Sequence, residues 1–173
     1  MPYIRMDGYK MEKRPKFKIA YSIYEIIMES VSIMAIFINI GLLLKYYTLL
    51  SNTIPTHFNA AGAPDRYGSK SSIFVLPIIV FIMYFFLTLL SRFPNIYNYP
   101  KPITRENAKY QYRCARQLMI IIKTEIMICF TYIEWTIIKV VLGNSNGLGL
   151  WFLLIFLTII FGTLAIYIRK ALR

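Results

Sequence analysis

Residues 54–70 read Ile54-Pro55-Thr56-His57-Phe58-Asn59-Ala60-Ala61-Gly62-Ala63-Pro64-Asp65-Arg66-Tyr67-Gly68-Ser69-Lys70, with a long apolar run on either side. The runs centre on Ile26–Leu44 and Ile73–Leu90. Stretches of roughly 18 or more apolar residues suit a helix crossing the hydrocarbon of a bilayer, which is about 30 Å thick. The segment between them is long and polar, and it holds the only histidine. Pro55 biases Ile54 toward an extended backbone, Pro64-Asp65 favours a turn, and Gly62 and Gly68 are expected to supply positive φ. This segment is expected to be a compact, ordered loop over the mouth of a helix bundle.

Working outward, two more apolar runs follow, Leu118–Leu142 and Leu148–Ile168. The composition agrees with the runs. Hydrophobic residues make up 57% of the 173 and charged ones 16%, and mean hydropathy is +0.52. A soluble domain carries about a quarter charged residues. The expected fold class is therefore an all-α integral membrane protein, a single domain built as a four-transmembrane-helix bundle. Its spans are residues 22–46, 73–91, 118–142 and 148–168. The connections are a basic N-terminal segment (1–20), the His57 loop (47–72), a basic loop and helix (92–117), a turn (143–147) and a tail (169–173).

The net charge of +12 would suit nucleic acid if it formed one patch. It does not. Arg5, Lys10, Lys13, Arg14, Lys16 and Lys18 precede the first span; Arg92, Lys101, Arg105, Lys109, Arg113 and Arg116 lie between the second and third; Arg169, Lys170 and Arg173 follow the fourth. The His57 loop has Lys45, Arg66 and Lys70, and the last turn has none. Fifteen against three places the basic side in the cytoplasm. Both termini are expected inside and the His57 loop outside, in a multi-pass protein of the plasma membrane. Nucleic acid is not an expected partner, and membrane lipids are. The basic face of Arg105, Lys109, Arg113 and Arg116 would meet anionic lipid or a cytoplasmic protein, and a homo-oligomer is a further expectation.

The N-terminus has no cleavage site of the signal-peptide kind. Cys114 and Cys129 are expected to be reduced packing residues, since two cysteines fifteen apart make no metal signature. Tyr21, Tyr24, Tyr46, Tyr47, Tyr97, Tyr99, Tyr167 and Trp151 gather near span ends, as in the aromatic belts of bilayer proteins.

Polar residues inside the spans carry the functional expectations. Ser22, Glu25, Glu29, Ser32, Ala35 and Asn39 share one face of the first span by their spacing. The third span carries Lys123, Glu125, Glu134 and Lys139. Its helix is expected to begin near Arg105 with Thr104 as N-cap, which gives about 57 Å up to Leu142 and a projection beyond the bilayer. Counting rise per residue puts Glu29 and Lys123 at one depth, as an ion pair. Arg116 would pair with Glu25 or Glu125. Glu134 lies deeper, level with Asn39, with Asn39, Lys139 or the outer loop as its expected partner. Charged groups at membrane depth face the bundle interior or water. Pro77 would kink the second span or sit in its first turn.

The 54–70 segment closely resembles the hallmark of a bacterial and archaeal membrane domain of unknown function, also found at the N-terminus of SdpI-like immunity proteins. The resemblance rests on Pro55, His57, Phe58, Asn59, Gly62, Asp65, Gly68, Ser69 and Lys70. Glu106-Asn107-Ala108, Gln111-Tyr112-Arg113, Ala115-Arg116 and Lys123-Thr124-Glu125 are also similar to it. SdpI-like proteins protect a cell from a secreted toxic peptide, and one also captures a repressor at the membrane. The resemblance thus implies an immunity or sensing role.

The leading expectation is a protein that binds a ligand, such as an antimicrobial peptide, at its outer face through His57, Asn59, Gly62, Asp65, Lys70 and Glu134. It names no catalytic residue, resident metal or cofactor. The first alternative is an ion- or proton-coupled transport component using Glu29, Lys123, Asn39 and Glu134. The second is a metal-dependent membrane enzyme with Glu134 beneath His57.

Overall fold

The computed structural model describes residues 14–172. Arg5, Lys10 and Lys13 of the basic N-terminal segment, and Arg173, lie outside that range. The described chain is mostly helical: α1 (Ile23–Tyr46), a hairpin of β1 (Thr53–Phe58) and β2 (Pro64–Ser69), then α2 (Val75–Ser91), α3 (Ala108–Val141) and α4 (Phe152–Ala171).

Local chemistry sets the boundaries. Ser22 opens α1 with a capping box: its hydroxyl accepts from Glu25 N–H at 3.3 Å, and the Glu25 carboxylate accepts from Ser22 N–H at 2.7 Å. That reciprocal arrangement satisfies two donors the helix leaves free. Pro77 sits in the first turn of α2, where a missing N–H costs nothing. Thr104 and Asn107 exchange side-chain and backbone hydrogen bonds, and Ala108 N–H donates to the Thr104 carbonyl at 3.0 Å. A turn therefore leads into α3, and the regular helix starts at Ala108 rather than near Arg105. The start of α4 also falls later than the hydropathy suggests. Gly147 and Gly149 have φ of 144° and 90°, so the turn runs on to Trp151.

Three helical segments are long and apolar enough to cross a membrane: Ile23–Leu49, Lys70–Ser91 and Phe152–Ala171. Phe37, Phe81, Phe85, Leu154 and Phe161 stand exposed on them. A soluble protein does not leave so much contiguous apolar surface in water. The remaining helix, α3, differs from the expected oily span. α3 packs against α1, α2 and α4 and buries Gln111, Arg116, Lys123, Thr124, Glu134 and Thr136 among its apolar residues. It is the polar axis around which the apolar helices stand.

Hydrogen bonds fix which ends meet. Arg14 donates to the Asn95 and Tyr97 carbonyls at 3.2 and 2.5 Å. Gln111 donates to the Ala171 carbonyl at 2.8 Å, and Lys101 to that of Leu172. The N-terminal segment, the α2–α3 connection and the end of α4 thus share one end. The hairpin and the α3–α4 turn share the other, where Leu148 N–H donates to the Gly62 carbonyl at 2.7 Å. At the first end Tyr97 is half-buried, its phenol pushed up to about 12 by desolvation and by neighbouring Tyr167. Its hydroxyl donates to the Leu90 carbonyl at 2.6 Å.

The hairpin corrects the all-α expectation. Two strands alone are marginal in water, but this pair rests on an apolar floor of Leu50, Ile54, Ile73, Ile137 and Ile138 with Phe58 and Trp135 packed against it. Ile54 is 1% exposed, and burying such a side chain stabilises by about 1.5–3 kcal/mol.

Candidate functional site

The hairpin register explains the placement of the histidine. Pro55 pairs with Tyr67, His57 with Arg66 and Phe58 with Pro64. Thr56 is therefore an extra residue on β1 and Asp65 an extra residue on β2. Bulges bend a strand and re-aim its side chains. The result is a hydrogen bond of 2.5 Å between His57 Nδ1 and Asp65 Oδ1, with side chains 49% and 37% exposed. Arg66 and Tyr67 are exposed beside them.

The other polar residues of the loop hold its shape. Asn59 Oδ1 accepts from Ala61 and Ala63 N–H at 2.9 and 3.1 Å, closing the tip as an Asx turn. Gly62 has φ of 76°, and a Cβ there would lie 2.4 Å from the Gly149 carbonyl oxygen. Gly68 serves differently from the expectation. It is not a positive-φ glycine; a Cβ there would meet the Thr56 methyl at 2.8 Å across the bulge. Lys70 places its ammonium 4.5 Å from the centre of the Tyr47 ring.

Inside the helices a second polar set runs along the α1–α3 contact. Arg116 binds Glu25 at 2.7 and 3.1 Å and also donates to the Ile19 and Ala20 carbonyls at 2.6 and 2.8 Å. These two backbone bonds have no signature in the residue pattern. Lys123 donates to both Glu29 oxygens at 2.6 and 2.7 Å and to Thr88 Oγ1 at 2.8 Å. All three ammonium donors are used, and α1, α2 and α3 are tied together. Ser32 meets Thr124 at 2.9 Å, and Thr131 donates to the Ala35 carbonyl at 3.2 Å. Glu125 does not join Arg116; it accepts from Thr163 of α4 at 2.5 Å.

Glu134 and Asn39 are buried, 0% and 1% exposed. Neither Glu134 oxygen and neither amide atom of Asn39 has a hydrogen-bond partner, so the Asn39 and Lys139 bonds expected for Glu134 are not formed. Ile137 and Ile138, one turn nearer the hairpin, belong to the apolar floor beneath it. Glu134 makes no hydrogen bond to His57. Among the described residues no three His, Cys, Asp or Glu side chains converge to hold a metal.

Residues 34–81 match the model of a domain of unknown function, DUF1648. An uncharacterized protein of Archaeoglobus fulgidus is 30% identical over 124 residues, covering 64% of this chain and 68% of that protein. The chain belongs to the same family as that archaeal protein and carries the DUF1648 domain. The DUF1648 match spans the second half of α1, the hairpin and the start of α2, so it contains Asn39, His57 and Asp65 but neither Lys123 nor Glu134. No solved structure matches the chain.

Proposed function

We propose that this DUF1648 protein is a receptor-like multi-pass protein of the cell membrane that binds a peptide on its outer face. In this reading α3 crosses the bilayer packed against α1, α2 and α4, both termini are cytoplasmic, and the hairpin faces outward. The excess of Lys and Arg at the end opposite the hairpin supports that orientation. The observation that carries the reading is the division of labour in the hairpin. Asn59, Gly62 and Gly68 are consumed in holding it, while His57, Asp65, Arg66 and Tyr67 remain exposed.

A two-stranded sheet also keeps one open edge on each strand, and an extended peptide adds readily to such an edge. Main-chain pairing would supply affinity, and the His57–Asp65 pair with Arg66 would select polar groups on the ligand. A secreted antimicrobial peptide fits this mode and agrees with the resemblance to SdpI-like immunity proteins. The test is binding of fluorescent candidate peptides to the purified chain in nanodiscs. His57→Ala and Asp65→Ala weaken binding in this account; equal affinity in both variants removes the pair from the function.

A further inference from the structure

The α1–α3 contact has a level that its own side chains leave unsatisfied. Below it, Thr131 bonds to the Ala35 carbonyl; above it, the Tyr46 and Trp135 rings meet with centroids 5.6 Å apart. Asn39 lies on α1 between Ala35 and Tyr46, and Glu134 lies on α3 between Thr131 and Trp135. The bonded pairs along this interface are separated by 91 to 96 positions, and Asn39 and Glu134 are separated by 95. Four polar atoms are thus buried at one level without a protein partner.

The surroundings offer no compensation. An apolar cluster of Ala35, Val80 and Met127 lies to one side and one of Leu50, Ile54, Ile73, Ile137 and Ile138 to the other. Lys123 is fully engaged by Glu29 and Thr88 further down. Most buried polar groups are satisfied by some partner, and a buried carboxyl is neutralised either by a counter-charge or by a proton.

We infer that Asn39 and Glu134 form an interior binding site for one monovalent cation of the sodium class. An amide oxygen and two carboxylate oxygens are hard donors, which suit a hard ion. One carboxylate balances a single positive charge, whereas a divalent ion would leave an excess charge in an apolar shell. The site is separate from the outer hairpin and does not depend on its ligand.

The experiment uses the full chain in detergent at constant ionic strength, with NaCl replaced stepwise by choline chloride. A hydrophobic carbodiimide modifies the Glu134 carboxyl when no cation holds it, and mass spectrometry of the peptide measures the rate. Sodium at about ten times its dissociation constant slows modification about tenfold, as mass action requires. The indole of Trp135, next to Glu134, gives a saturable fluorescence change over the same range. Asn39→Ala shifts half-saturation to higher sodium, and Glu134→Gln abolishes the change. If Glu134→Gln does not fold, the carbodiimide rates on the unaltered chain decide alone. Equal rates and spectra in NaCl and choline chloride would mean an internal hydrogen bond or trapped water, and would overturn the proposal.

Discussion

Lys123 of α3 and Glu29 of α1 face each other at 2.6 Å, with Thr88 of α2 taking the remaining ammonium proton and the Tyr84 ring centred 4.6 Å away. Three helices converge on one charge that is 0% exposed. Removing one partner of such a pair leaves the other charge buried alone, at a cost of about 3–5 kcal/mol, whereas replacing both by apolar groups is often neutral. Lys123→Met is therefore expected to lower the melting temperature in detergent strongly, and Glu29→Gln to do likewise. The double variant should recover most of the loss. A double variant no better than the singles would show that the pair is not an energetic unit.

Arg116 anchors the segment before α1 as well as Glu25. Arg116→Lys keeps the charge but loses the planar fork that reaches Glu25 and two carbonyls together. The expected loss is about 2 kcal/mol, from hydrogen bonds to a charged group. Limited trypsin digestion should reveal it as faster cleavage after Lys16 and Lys18, with cleavage in the hairpin unchanged.

Gly62→Ala puts a methyl 2.4 Å from the Gly149 carbonyl oxygen at φ of 76°. The left-handed backbone alone costs an L-residue about 1–2 kcal/mol, and the clash forces the tip off the α3–α4 turn. Faster hydrogen exchange at residues 59–64 and at Leu148 is expected. Gly162→Ala is the control. It meets nothing within 4 Å in mid-helix, where alanine is favoured by about 0.5–1 kcal/mol, so it should be neutral or slightly stabilising.

How much of this was legible in the residues depends on the physics behind each feature. Apolar run length marked the helices because the hydrocarbon core, about 30 Å thick, demands roughly 20 apolar residues per span. Equal depth on helices running the same way was a matter of rise per residue, which brought Glu29 and Lys123 to one level. The strands were hidden: Thr53–Phe58 contains a proline and a bulge residue, Thr56, that breaks any alternation. Gly68 looked like a turn residue, but its constraint comes from Thr56 on the opposite strand and is non-local. The central position of α3 was masked because its buried face is polar and its total hydropathy is still positive. The docking of Gly62 on Gly149 joins residues 87 apart, and no local pattern encodes it.

In the proposed orientation the hairpin faces outward and the basic end faces the cytoplasm. The most direct measurement is labelling of single cysteines in intact cells by a membrane-impermeant maleimide, in a chain with Cys114 and Cys129 replaced by alanine. Ala63→Cys, at the exposed hairpin tip, should label in intact cells, and Arg113→Cys, on the exposed face of α3 at the other end, only after permeabilisation. The reverse pattern would contradict the orientation, and the external receptor with it.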